Sequence, residues 1–169
     1  MKKLLILAAA LLSVLFASCD KEAQLANQLK EMEAADDLII TEEVADITAN
    51  SAVLYGRVGK KYMDLLMDIG IILSTSADPS LDNGIKYEGE YGVYMAGGVG
   101  QQSVFEITDR EGNPTDGKFP VHAKELSPST TYYYRAYFTM KDWWEDGQQH
   151  HLDIFKMGEV KSFTTLASE

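Results

Sequence analysis

The chain holds a single cysteine, Cys19, so no internal disulfide can form. It is short of cations: 15 Lys and Arg stand against 26 Asp and Glu, for a formal net charge of −11. Phosphate backbones need basic partners, so this balance excludes nucleic acid as a partner. Three catalytic signatures are missing: a Gly-x-Ser-x-Gly elbow, a phosphate-cradling glycine loop and a His-Glu-x-x-His pair. Carboxylates are plentiful, but no spacing pairs two of them in a cleft. The expectation is therefore a non-enzyme without a cofactor. Apolar runs are also scarce. Leu4 to Phe16 is one, but it falls short of the roughly 20 residues that a membrane span needs. What remains is 169 residues, 46% of them hydrophobic, enough for one ordinary domain with an appendage and a core that needs no staples.

Lys2 and Lys3 precede the apolar run, and the small residues Ala17 and Ser18 follow it, directly before Cys19. This is secretory signal architecture and lies outside the fold. The Phe16-Ala17-Ser18-Cys19 ending resembles the lipobox of bacterial envelope lipoproteins, with Phe16 where Leu is commoner. The resemblance implies cleavage before Cys19, acylation of Cys19 and a membrane partner through that lipid. It implies a place in the cell envelope; Asp20 after the cysteine fits retention at the inner membrane or export to the outer surface, and the outer membrane or cell surface is the expected place. Residues 19–37 then form a lipidated tether. Lys21 to Ala35 is rich in helix formers, and Leu25, Leu29 and Met32 make a narrow apolar stripe. The stretch predicts a short helix ending at Asp36-Asp37.

Residues 38–169 read as one domain of short strands and turns. Leu38 to Ile47 supplies a first strand with a break near Glu42-Glu43. Ser51 to Val58 alternates, with Ala52, Leu54, Gly56 and Val58 on one face. Asp68 to Ser74, Ile85 to Glu88, Ser103 to Ile107 and Lys118 to Glu125 are further strands. In the last of these, Phe119, Val121 and Ala123 point inward and His122 outward. Residues 76–84 and 109–117 are dense in turn formers. From Tyr132 the chain alternates again. Tyr132, Tyr134, Ala136 and Phe138 are the expected core set, and Tyr133, Arg135 and Tyr137 the outer set. The outer set is expected to form an aromatic and cationic ladder with Tyr55 and Arg57. In the last strand, residues 159–165, a bulge is needed only if Val160 and Phe163 are both buried.

Leu126-x-Pro128-x-Thr130-x-Tyr132-x-Tyr134-x-Ala136 resembles the E–F turn and F strand of fibronectin type III domains. Ala52-x-Leu54-x-Gly56 is similar to their B strand, and residues 160–165 to their terminal strand. The resemblance implies an all-β, seven-stranded antiparallel immunoglobulin-like sandwich, here preceded by the short helix. It makes Leu126, Pro128, Thr130 and Tyr132 structural residues, with the Tyr132 hydroxyl bonded back to upstream backbone. The usual B-strand tryptophan is absent, so another aromatic such as Tyr134 fills the centre.

The domain exceeds the usual sandwich by roughly 30 residues. The excess lies in three connections: 59–67, 88–102 and 140–158. In the implied topology all three meet at one pole, where the first strand also begins. They carry Tyr62, Tyr91, Tyr94, Trp143, Trp144 and His150, residue types favoured in binding surfaces, on loops of a rigid scaffold. These six are the candidate binding residues. For Trp143-Trp144 two readings stand: one ring caps the open end of the core, or the pair forms stacking platforms for a sugar or hydrophobic peptide. Leu65, Leu66 and Met67 read as a core plug. His150-His151 read as loop polarity, because adjacent histidines on an extended segment point apart and do not converge on a metal. Asp109-x-Glu111-x-Asn113 has the first spacings of a calcium loop but Pro114 in place of its glycine. No metal is expected. The functional expectation is a membrane-anchored binding or adhesion module with a protein or glycan ligand. The alternatives are an assembly subunit or spacer of an envelope complex, and a glycan-binding accessory protein.

Overall fold

Alternation of buried and more exposed side chains is clearest over residues 51–58 and 118–124. The computed structural model describes residues 27, 30, 31, 34–59, 68–96, 104–145 and 148–168. For residues 93–96, 104–106, 140–145 and 148–153 it describes backbone path and register. Ten strands are delimited among the described residues: β1 (Ile39–Thr41), β2 (Ser51–Val58), β3 (Asp68–Ser74), β4 (Ile85–Glu88), β5 (Gly92–Ala96), β6 (Val104–Thr108), β7 (Lys118–Lys124), β8 (Thr131–Glu145), β9 (Gln148–Met157) and β10 (Lys161–Thr164). The expected seven strands are thus exceeded, and the reason lies in the extra connections. Residues 88–102 are not all loop, since β5 pairs antiparallel with β6. Residues 140–158 are not a loop either, since β8 and β9 pair as a long ribbon that leaves only positions 146 and 147 between them.

The chain divides into two units, 1–35 and 36–169. In the first, Asn27, Lys30, Glu31 and Ala34 have helical backbone. The signal segment 1–18, Cys19 and the rest of the expected helix lie outside the described residues, so no N-terminal helix is delimited.

The second unit holds two main antiparallel sheets, β1-β2-β7 and β10-β8-β3-β4, with β9 beside β8 and the β5-β6 pair separate. In the first sheet, Ala52, Leu54 and Val58 are buried with their β7 neighbours Phe119, Val121 and Ala123. In the second, Ile69, Ile71 and Leu73 pair with Phe138, Ala136 and Tyr134, and all six are buried. Each large apolar side chain so covered contributes about 1.5–3 kcal/mol. Tyr134 is fully buried. Its ring meets Phe163 edge-on at 5.9 Å, and its hydroxyl donates to the Glu42 carbonyl at 2.9 Å.

The turn before β8 is built as the sequence implies. The Ser127 N–H donates to the Tyr132 hydroxyl oxygen at 2.9 Å, and the Thr130 hydroxyl donates to the Pro128 carbonyl at 2.9 Å. Leu126 is buried beneath this corner. Tyr132 is half-buried and stacks on Phe163, so it belongs to the corner rather than the core. Val160 is exposed, so Phe163 needs no bulge.

Two expectations about outer faces are corrected. Tyr137 is fully buried although it lies on the outer side of β8. Its register partner is Gly70, which has no side chain to hold it off; a Cβ at Gly70 would lie 2.7 Å from the Tyr137 hydroxyl oxygen. Phe155 of β9 stacks on the ring, and the Lys86 ammonium stands 4.8 Å from its centre. Alternation sets the side of a sheet, but burial depends on what neighbouring strands place there. The expected ladder joining Tyr133, Arg135 and Tyr137 to Tyr55 and Arg57 does not form, because β8 and β2 belong to different sheets. Arg135 instead pairs with Asp78 and donates to the Gly158 carbonyl. Tyr55 takes the Lys118 ammonium on its ring at 4.1 Å, and Arg57 pairs with Glu42 at 2.6 Å.

Candidate functional site

β2 ends and β3 begins at the pole where the extra segments leave the sandwich. Ile39 at the start of β1 pairs with Val58, and the Gly59 N–H donates to the Leu38 carbonyl, so the chain also enters the domain there. Asp68, the first residue of β3, pairs with Thr139, so β8 runs past β3 from Met140 onward. After β4 the chain crosses between the sheets. The Gly89 N–H donates to the Ile69 carbonyl and the Glu90 N–H to the Pro120 carbonyl. The crossing needs glycine: a Cβ at Gly89 would lie 2.8 Å from the Phe119 ring.

An open cleft of about 490 Å³ lies beyond this crossing, lined by Gly89, Glu90, Tyr91, Gly92, Thr108, Asp109, Arg110 and Gly112. That volume falls in the range of small-ligand pockets, roughly 300–1,000 Å³. One wall is the segment from Gly89 to Gly92. The other is the turn after β6, bound to itself. The Asp109 carboxylate accepts from the N–H groups of Glu111 (3.0 Å) and Asn113 (2.8 Å) and from the Asn113 side chain. Those bonds, the Asn113 side chain's first, hold the Asp109 carboxyl below its ordinary pKa. The calcium-loop spacing therefore serves an Asx-type turn whose carboxylate is used locally. Gly112 completes it at φ +86°, the left-handed region where glycine is unstrained.

The two walls are joined by an ion pair between the Arg110 guanidinium and the Glu90 carboxylate. Arg110 is 75% exposed and Glu90 30%. Tyr91 lies against the Phe119 ring, centres 6.4 Å apart and tilted by 57°. Burial, then the charges of Asp68 and Glu88, raise its pKa above the ordinary value. The same two carboxylates act on Tyr137, whose pKa is raised chiefly by burial and which donates to Asp68 at 3.4 Å. Lys86 answers Asp68 at 2.7 Å. Among the described residues, Asp68, Glu88 and Glu90 stand around these two rings with Lys86 and Arg110 as their nearby cations. Around the cleft a guanidinium, two carboxylates, a phenol and a hydroxyl stand among glycine backbone.

Of the six candidate residues, only Tyr91 is placed in this cleft. Tyr62 and the plug Leu65, Leu66 and Met67 lie outside the described residues. Tyr94 is on β5 opposite Glu106. Trp143 and Trp144 are on β8, in register with His150 and Gln149 of β9, so these positions belong to a ribbon rather than a loop. Cys19 lies outside the described residues. His122 is exposed on the outer face of β7, as expected. No group of three or more His, Cys, Asp or Glu gathers in metal-binding geometry among the described residues. Sequence reasoning missed Glu90, Thr108 and Arg110. Twenty residues separate Glu90 from Arg110, and no local pattern signals the β5-β6 hairpin that brings them together.

No protein-family model matches the chain, and no curated protein matches it in sequence. Among solved structures it is similar to the sensor domain of the anti-sigma factor RsgI4 from Pseudobacteroides cellulosolvens (16% identity, 80% of this chain and 99% of that one, TM-score 0.45). It is also similar to a fibronectin type III domain of the human KIAA0970 protein (14% identity, 85% and 83%, TM-score 0.44). A third similarity is to PhoD (15% identity, 79% of this chain but 19% of that one, TM-score 0.41).

Proposed function

We propose that this chain is a non-catalytic binding module of the bacterial cell envelope, anchored through lipid on Cys19 and engaging its ligand at the elaborated pole. One observation carries the reading. The β5-β6 pair with its cleft and the β8-β9 extension both leave the sandwich at a single pole. A rigid sandwich with its elaborations gathered on one side is a presentation scaffold. The domain's first strand begins at the same pole, and residues 19–37 reach roughly 60 Å when fully extended.

The test uses the full chain with fluorescent label, isolated envelope material of the source organism, and a glycan array. Wild type is expected to bind saturably in one of these formats. The double variant Trp143→Ala with Trp144→Ala is expected to lose that binding while keeping its circular dichroism and melting temperature. Loss of folding in the double variant refutes the site reading, because the tryptophans are then core. In cells, Cys19→Ser is expected to abolish incorporation of a palmitate analogue and release the chain from membranes; retained label refutes the anchor.

A further inference from the structure

We propose that the free edge of β4 is a self-association surface, on which a second copy of this chain adds its own β4 in antiparallel register, with Lys86 facing Glu88 of the second copy. The pairing goes beyond the ligand-binding reading and does not depend on it.

Among the described residues, β4 pairs with β3 and no strand pairs with its other edge. The Gly89 N–H donates to the Ile69 carbonyl, so the ladder's hydrogen bonds are exchanged by Ile71 with Tyr87 and by Leu73 with Ile85. Backbone groups on a strand change sides at each residue. The N–H and carbonyl groups of Lys86 and Glu88 therefore point away from β3, toward the open edge. Both residues are exposed. Other edges differ. On β7 the Pro120 carbonyl already accepts from the Glu90 N–H. On β10 the outward-pointing residues are Ser162 and Thr164, which carry no charge to set a register.

The charges on this edge select its occupant. Lysines along an edge keep other strands away. Here a lysine and a glutamate stand two residues apart, a pattern that complements itself when the strand meets an antiparallel copy. The new hydrogen bonds must join outward-pointing residues, which leaves three registers centred on these two. Lys86 against Lys86, or Glu88 against Glu88, sets like charges together and is disfavoured. Lys86 against Glu88 sets opposite charges together twice about one two-fold axis. Glu88 forms no ion pair among the described residues. The Lys86 ammonium is held by Asp68 at 2.7 Å and keeps donors for a second carboxylate. On the other face of β4, the same register sets Tyr87 against Tyr87 of the second copy. It also sets Ile85, 60% exposed, against Gly89 of that copy, so apolar surface is covered. The net charge of −11 opposes association at long range, but salt at physiological strength screens it beyond about 8 Å. Pairing over residues 85–89 is small for an interface, so the dimer is weak in solution.

The test uses the full chain carrying Cys19→Ser, so that each introduced cysteine is the only one. Each variant is first shown to be folded by its melting curve. Sedimentation at rising concentration is expected to show a weak monomer–dimer equilibrium. Tyr87→Cys puts two thiols at a directly opposed pair without hydrogen bonds, where Cα atoms stand about 4.5 Å apart, within reach of a disulfide. It is expected to oxidise to a dimer at least about tenfold faster than His122→Cys, an exposed position on β7, because pairing raises the local thiol concentration. Lys86→Cys and Glu88→Cys are expected to cross-link readily only when the two proteins are mixed, because position 86 faces position 88. Glu88→Lys is expected to weaken the dimer about tenfold, since both cross pairs become like-charged. A chain that stays monomeric at the highest concentration overturns the proposal. So does Tyr87→Cys no faster than His122→Cys, Lys86→Cys alone cross-linking as readily as the mixture, or no effect of Glu88→Lys. Association through the apolar run 4–16 lacks this register dependence, so a dimer without it also overturns the proposal. Capture of Tyr87→Cys by other envelope proteins but not by its own kind does the same.

Discussion

Thr41 sits where the two sheets touch through backbone, and replacing it by valine isolates one hydrogen bond. Along β8, the ladder to β10 ends at Tyr134 and the ladder to β9 begins at Tyr137. Ala136 falls in the gap. Its carbonyl accepts from the Gly158 N–H at 2.9 Å, but its own N–H turns to the Thr41 hydroxyl oxygen at 3.0 Å. Both residues are buried, Thr41 to 3% exposure. Gly158 makes room for the contact, since a Cβ there would lie 2.6 Å from the Thr41 hydroxyl oxygen. Thr41→Val keeps the branched shape and removes the acceptor, leaving a buried N–H without a partner at a cost of about 1–3 kcal/mol. The methyl that replaces the hydroxyl returns up to about 0.8 kcal/mol. The net loss is about 1–2 kcal/mol, or roughly 3–10 °C in melting temperature for a domain of this size. Urea and thermal unfolding measure the loss, and hydrogen exchange locates it: the Ala136 amide is expected to lose protection relative to its neighbours. Thr41→Ser keeps the acceptor and is expected to leave that amide protected. A Thr41→Val protein within about 0.5 kcal/mol of wild type, with the Ala136 amide still protected, refutes the reasoning. The bond matters because it helps fasten β1, the first strand of the domain, to β8.

Two further predictions address the second sheet. Gly70→Ala places a Cβ 2.0 Å from the Tyr87 carbonyl oxygen, a backbone atom of β4 that cannot rotate away. It is expected to cost about 1–3 kcal/mol in urea unfolding and to expose Tyr137, read by tyrosine fluorescence; an unchanged midpoint counts against the close β3-β4 approach. Tyr134, whose pKa burial pushes up to about 12, gives a signed pH dependence. A tyrosine that ionises near 10 when unfolded and near 12 when folded contributes fully below pH 10, and its contribution is lost as pH rises toward 12. The stability gap between wild type and Tyr134→Phe is therefore expected to narrow by about 2–3 kcal/mol between pH 9.5 and 12; a constant gap refutes the assignment.

What the sequence determined by itself is the alternation and the corner. Ala52, Leu54 and Val58, and likewise Phe119, Val121 and Ala123, were legible as inward faces because side chains on a strand change sides at every residue. The Tyr132 corner was legible because Pro128 and Thr130 fix the turn locally. Tertiary structure alone decided the rest. Gly70 lets Tyr137 sink between Phe155 and Lys86, so a residue on the outer side is buried. The tryptophan segment forms a ribbon because β9 pairs with β8, a pairing whose one sequence signal is the Asp146-Gly147 dipeptide between two strand-forming runs. The cleft depends on Glu90 meeting Arg110 through a hairpin of glycine-rich sequence, a long-range contact with no signature in either residue's neighbourhood. Local chemistry fixes dihedral angles and faces, whereas a binding site is made of residues distant in sequence, and only the closed fold sets the distance between them.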